Sequence, residues 1–302
     1  MSDPVAEGSL GWLALARGSI DRVGERRRDD AWLAEAWADP RTRVLVVERG
    51  RSLVRPDPAL VLLPTDQAPE GERYLLGVDG DGIAYFAVPA PLPTIEGTEA
   101  AGLRATGALL SDRDAGLLTQ AIALQNWHDT HTHCPRCGAL TTVASAGHTR
   151  VCPVDGSEHF PRTDPAVIML VHDDERILLA RSAAWPAGRV SILAGFVEVG
   201  ESLEQAVARE VYEEVGLRVR DCRYLGSQPW PMPRSLMLGF FARADDGQEL
   251  RVDGHEIKSA RWYTREELLT TAESGETLLP GKISIARQLI ERWYGGELPT
   301  DW

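Results

Sequence analysis

No stretch constrains this chain more than the one from Gly195 to Leu217. Leu203, Val207 and Val211 stand four apart and Gly216 follows the last apolar position, which predicts an amphipathic helix over 203–215 closed by a glycine cap. On that helix Glu210 and Glu214 lie one turn apart on one face, with Glu213 beside them. Like charges at this spacing repel by about a few tenths of a kcal/mol. Glu198 and Glu201 add oxygens from the loop before the helix. Arg209 can pair with Glu213 at i, i+4, but one guanidinium cannot neutralise five carboxylates. A hard divalent cation can, and carboxylate oxygens with water are what magnesium or manganese prefer. A charge run is ordinarily a solvated helix face, but here the glycines and the opposite apolar stripe fix the acids at one helix entrance.

The rest of the chain supplies the frame. At about 150 residues per domain, 302 residues suggest two domains. Apolar residues at 43% and charged residues at 25% exclude a disordered, collagen-like or disulfide-scaffold chain. A formal charge of −13 argues against DNA and anionic membrane surfaces as partners, because such a surface repels both at long range. No apolar run approaches a membrane span, and the acidic start MSDPVAEGSLGW does not resemble a secretory signal, so a soluble cytoplasmic protein is expected.

Short apolar runs at 43–48, 59–63 and 84–88, bounded by Pro, Gly and Asp, predict strands of a β-rich first domain, unrelated in appearance to the other half of the chain. A helix starts at Asp112, capped by Ser111 or Asp112 itself, with Ala115, Leu118, Ile122 and Trp127 on its apolar face. Beyond it, 166–171 and 177–179 read as a buried hairpin, 191–194, 236–242 and 260–263 as strands, and 265–271 and 283–294 as helices. Alternating strands and helices make this half a layered α/β or α+β sandwich. Cys222, alone of the four cysteines, reads as a small apolar residue.

The other three cysteines crowd into nineteen positions. Cys134-Pro-Arg-Cys137 is a metal knuckle, and Cys152 follows after fourteen residues. A second knuckle reads Cys152-Pro-Val-Asp155, and zinc accepts a carboxylate oxygen, so a Cys₃Asp site is one reading. His133, His148 and His159 compete as fourth ligand, and a metal-free ribbon held by packing is the alternative. A closed site of this kind is structural and takes no part in catalysis.

Gly195, Glu201, Arg209, Glu210, Val211, Glu213, Glu214, Gly216 and Leu217 fill nine fixed positions over 23 residues that resemble the Nudix box. The resemblance implies a Nudix α/β/α sandwich in an α+β chain and hydrolysis of a nucleoside diphosphate linked to another group. It assigns Glu210 and Glu214 as ligands of Mg²⁺ or Mn²⁺, with the Ala194 carbonyl as a further ligand. Just past the box, Ser227-Gln228-Pro229-Trp230-Pro231-Met232-Pro233-Arg234-Ser235 is similar to the signature of NADH pyrophosphatases of the NudC type, with Met232 where that family usually has Phe. Composition alone makes this segment a rigid loop with Trp230 packed inside.

That likeness spans roughly residues 100 to 295, zinc ribbon included. It implies domains at 1–125 (β-rich, ending in a helix), 126–163 (zinc ribbon) and 164–302 (Nudix). It implies substrate contacts at Gln228 to Ser235, Phe160, Phe196, Ala286 and Arg104, and a further metal ligand at Glu256. Phe160 and Phe196 could equally be core residues, and Glu256 a solvated loop acid. The implied reaction splits the pyrophosphate of NAD(H) into nicotinamide mononucleotide and AMP, with Glu213 the first candidate to activate water and Glu198 or Glu256 able to compete. NAD-capped RNA is an alternative substrate. A non-catalytic zinc-ribbon binding module is the rival of another class. The family's homodimers make a homodimer the expectation.

Overall fold

A computed structural model describes residues 8–245, 247–252 and 254–299. The chain forms two compact units. One holds the described residues up to Ala16, Asp164–Pro229 and those from Ser235 on; the other holds Arg17–Thr163 and Trp230–Arg234.

The first unit is built on a six-stranded mixed sheet. Its strands run in the order Val219–Trp230, Ser235–Ala244, Asp164–His172, Arg176–Ser182 and Ile257–Thr264, and Leu193–Phe196 also pairs with Asp164–His172. Side chains alternate across the central strand, as the two-residue period of a pleat requires. Val167, Met169 and Val171 pack on Ala206, Val207, Val211 and Val215 of the helix Leu203–Val215. Ile168 and Leu170 face the other way, onto Leu268 and Ala272 of the helix Arg265–Glu273 and Leu289, Ile290 and Trp293 of the helix Ile285–Tyr294. Helices on both faces of a sheet give the expected α/β/α sandwich.

Two details differ from the sequence reading. The hairpin at 166–179 pairs only beside its turn, His172 opposite Ile177, because Leu193–Phe196 lies antiparallel along residues 166–169. This brings the backbone of Ala194 and Gly195 to the middle of the sheet. In addition, Ser227–Trp230 is the end of a twelve-residue strand, and only 231–234 form a turn. Pro229 is tolerated there because this strand ends the sheet order, where a missing N–H breaks no ladder on the open side.

The second unit carries a four-stranded sheet in the order Leu62–Leu63, Arg43–Val47, Ala84–Pro89, Tyr74–Val78, a two-stranded sheet of Arg51–Val54 with Glu99–Gly102, and the ribbon strands Thr142–Ala144, Thr149–Val151 and Glu158–His159. The helix Asp112–Thr130 is capped by Ser111, whose hydroxyl accepts from the Asp114 N–H. It runs unbroken through 125/126, so that expected domain line falls inside a helix. Buried Arg150 of the ribbon reaches back to it, donating to His128 Nδ1 at 2.9 Å and to the Thr141 carbonyl at 2.8 Å. Arginine only donates, so the His128 proton sits on Nε2, 2.8 Å from the Gly147 carbonyl oxygen. Burial pushes the His128 pKa down to about 4, which keeps the ring neutral.

Candidate active site and metal centres

The helix Leu203–Val215 begins with a capping box. The Ser202 hydroxyl accepts from the Gln205 N–H, and the Gln205 carboxamide oxygen accepts from the Ser202 N–H. It ends at Gly216, whose φ of 71° is a left-handed cap that glycine adopts without strain. Both ends being fixed, its acidic face has one orientation.

That face lines a cavity of about 730 Å³ in the first unit. Glu198, Glu210, Glu213, Glu214 and Glu256 all reach it, as do Ala194 and Phe196. Arg209 is the one cation among its described lining residues, and it holds the acids in register. Its guanidinium donates to both oxygens of Glu201 at 2.8 and 2.9 Å, to Glu210 Oε1 at 2.9 Å and to Glu213 Oε2 at 3.0 Å. A further bond at 2.9 Å reaches the Phe196 carbonyl and fixes the backbone after Gly195. Glu201 is held below the ordinary carboxylate range by the Arg209 bonds and by the Glu198 N–H. The Glu210 pKa is raised instead, because burial outweighs Arg209 and the negative charges of Glu213 and Glu256 add to it.

Gly195 explains how Glu210 fits. A Cβ built there would lie 1.8 Å from Glu210 Cδ and 2.0 Å from Oε1, so the carboxylate rests directly on the glycine backbone. Glu214 is 7% exposed and Glu213 is open to solvent. A group of carboxylates this dense, with one arginine among them, is a donor set for a hard divalent cation. Glu210, Glu214, Glu256 and the Ala194 carbonyl, the ligands expected from the sequence, all border one space. Phe196 is 59% exposed, so it is not a core residue.

Other expected substrate contacts lie elsewhere. Gln228 is fully buried: its Nε2 donates to the Ile283 carbonyl at 3.0 Å, and its Oε1 faces the Leu15 N–H at 3.4 Å. Ala286 is 1% exposed in the core beneath the sheet, because its helix turns this face inward. Both therefore hold the fold together and do not line the cavity. Ser235 does line it. Phe160 is exposed on the second unit. Arg104 lies there too, over the Trp230 ring at 5.2 Å, beside a smaller cavity that Pro231 and Met232 share. Trp230 is thus packed by a cation and is not a core residue.

The ribbon brings its four candidates together. The ligand atoms of Cys134, Cys137, Cys152 and Asp155 all lie within 4.8 Å of one another. Asp155 is kept ionised by the Ser157 hydroxyl and N–H, which both donate to its Oδ1. Three thiols and a carboxylate fit a tetrahedral zinc ion. The competing histidines have other partners: His148 Nε2 meets the Leu75 carbonyl, His133 meets Thr132, and His159 meets the hydroxyl of Ser157, which stands between it and Asp155.

Sequence reasoning missed the capping box, although Ser202-x-x-Gln205 was there to read.

Comparison with known proteins agrees with this layout. An NADH pyrophosphatase-like rudimentary NUDIX domain matches residues 41–127, an NADH pyrophosphatase zinc ribbon domain 129–160 and a NUDIX domain 162–280. The first domain, unrelated in appearance to the rest, is thus a reduced relative of the last; each has a parallel strand pair within its sheet. The NAD-capped RNA hydrolase NudC of Mycobacterium bovis BCG is 45% identical over 299 residues, 92% of this chain and 94% of its own length. NudC of Mycobacterium tuberculosis H37Rv gives the same figures. The human mitochondrial NAD(P)H pyrophosphatase NUDT13 is 37% identical over 284 residues, 86% of this chain and 79% of its own. With box, ribbon and rudimentary domain in one order along the whole chain, this protein belongs to the Nudix hydrolases of the NADH pyrophosphatase (NudC) family.

Proposed function

We propose that this enzyme hydrolyses the pyrophosphate of NAD(H) to nicotinamide mononucleotide and AMP, and that NAD-capped RNA is an alternative substrate cut by the same chemistry. The cavity carries the reading: five carboxylates crowd it beside one exposed aromatic ring, next to a strand that begins at the signature residue Ser235. The relatives' names, NAD-capped RNA hydrolase and NAD(P)H pyrophosphatase, point to the same substrate class.

Glu210, Glu214, Glu256 and the Ala194 carbonyl would hold Mg²⁺ or Mn²⁺, which when bound screens phosphate charge and stabilises the charge developing on the leaving oxygen. Glu213, exposed at the cavity and oriented by Arg209, would position or deprotonate the attacking water. Glu198 lines the same space and is its competitor for that role. Phe196 would offer its ring to a flat base. Arg234, the last residue of the Pro-rich turn, and Ser235, which follows it, would meet the substrate next. Zinc at the ribbon would be structural, with the chain divided into a β-rich domain ending in a helix, 1–125, the ribbon, 126–163, and the Nudix domain, 164–302. A homodimer in the cytoplasm completes the proposal; among the described residues no helix is long and apolar enough to cross a membrane. With a charge of −13, any RNA would be held by its cap more than by its backbone.

Product analysis of NADH incubated with the protein tests this. Reduced nicotinamide mononucleotide and AMP should appear in equal amounts, only with magnesium or manganese, and Glu214→Gln should abolish most of the turnover while the fold stays intact. No products, or near-normal turnover of the variant at saturating metal, would overturn it.

A further inference from the structure

The Pro-rich turn between the strands Val219–Trp230 and Ser235–Ala244 is stiffened by its prolines and also held from outside. Pro231 and Pro233 have no N–H to donate, and the backbone bond that closes it runs from the Met232 N–H to the Trp230 carbonyl at 2.7 Å. The carbonyls of the two prolines accept from a donor outside the turn. One side chain supplies both bonds. The Asn126 carboxamide nitrogen, on the helix Asp112–Thr130, donates to the Pro231 carbonyl at 2.9 Å and to the Pro233 carbonyl at 3.0 Å. Both protons of one NH₂ group are used, on oxygens two residues apart, so the fork defines the path of the chain between them.

The helix that carries this fork is rigid where it matters. Gln125, next to Asn126, is itself buried, accepting from the Gly50 N–H at 3.0 Å and donating to the Val47 carbonyl at 3.3 Å. His128, two residues on, is locked by Arg150 and Gly147. The position of Asn126 is thus set from both sides. One residue past Pro233 stands Arg234, and the next, Ser235, lines the carboxylate cavity.

We propose that Asn126 is a positioning residue for substrate binding: its two hydrogen bonds set the turn 231–234, and through the chain set Arg234 and Ser235, before the dinucleotide arrives. Pre-setting a loop removes an ordering cost from binding and leaves the chemical step alone. The proposal rests on the function assigned to the cavity, and its test has a readout independent of that function.

Asn126→Asp keeps size and shape but replaces both donors by acceptors. It should raise KM for NADH about tenfold with kcat within about twofold, and Asn126→Gln, which keeps the NH₂ group, should recover most of the loss. Separately, trypsin should cut the Arg234–Ser235 bond several-fold faster in Asn126→Asp than in the wild type, with other cut sites unchanged, as mass spectrometry of the fragments would show. Unchanged KM, or failure of Gln to rescue, overturns the role in binding. Equal cutting rates overturn the hold on the turn. Loss of kcat together with a lowered melting temperature marks Asn126 as merely structural and also overturns it. A wild-type protein that leaves NADH intact but shows the faster cut in Asn126→Asp refutes the substrate reading and upholds the hold on the turn.

Discussion

Gly195 and Phe196 sit side by side and answer to different physics. At Gly195 the side chain is missing because the Glu210 carboxylate occupies its place. The atoms a methyl group would strike are the far end of a flexible side chain, so Gly195→Ala should leave the melting temperature within a few degrees of the wild type. The displaced carboxylate, though, should cost roughly a hundredfold or more in kcat/KM, the scale of a misplacement near 1 Å at a reacting centre. A variant with full activity would show that Glu210 works from another position. Phe196 projects its ring into solvent at the cavity. Stacking a base on it is worth about 1–3 kcal/mol, so Phe196→Ala should lower kcat/KM for NADH by roughly tenfold to a hundredfold. Since the ring is 59% exposed, the melting temperature should not fall with it, and a substrate without a base to stack should be indifferent. Uniform loss on both substrates would remove Phe196 from the binding role.

Among the elements, the ribbon makes the sharpest prediction. Purified without chelator, the protein should carry about one zinc per chain, and Asp155→Ala should lose it on dialysis. Zinc retained by that variant would mean that a neighbouring histidine swings in as ligand. The elements also show what a sequence displays and what it hides. The helix Leu203–Val215 was legible because apolar spacing, glycine cap and acid spacing all agree on one stretch. The strand Val219–Trp230 was not: its residues are mostly half-buried, Arg, Asp and Cys break the alternation, and Pro229 reads as a stop. Only its place at the end of the sheet order makes that composition acceptable. Asp155 could be named from knuckle spacing, but choosing it over three histidines needed coordinates. Gln228 and Ala286, both buried, show what a motif leaves open: it says which residues belong together without saying which way each one faces.

At the level of the whole molecule, the two units do not follow the order of the chain. Leu13 is packed in the core beneath the Nudix sheet and Leu10 donates its N–H to the Leu225 carbonyl at 2.7 Å, yet more than a hundred residues of the other unit intervene before Asp164. A fragment starting at residue 164 would lack Leu13, whose removal alone compares with a core Leu→Ala change of about 2–5 kcal/mol. Calorimetry should find that fragment melting well below the same unit in the full chain; equal melting would show the N-terminal segment to be dispensable. The segment 230–234 makes the reverse exchange. Each unit thus keeps a short piece of the other's thread, like two garments sewn with a shared seam. A cut at 163/164 would leave both pieces on the wrong fragment, so two units that are separate as packed bodies are not separable as lengths of chain.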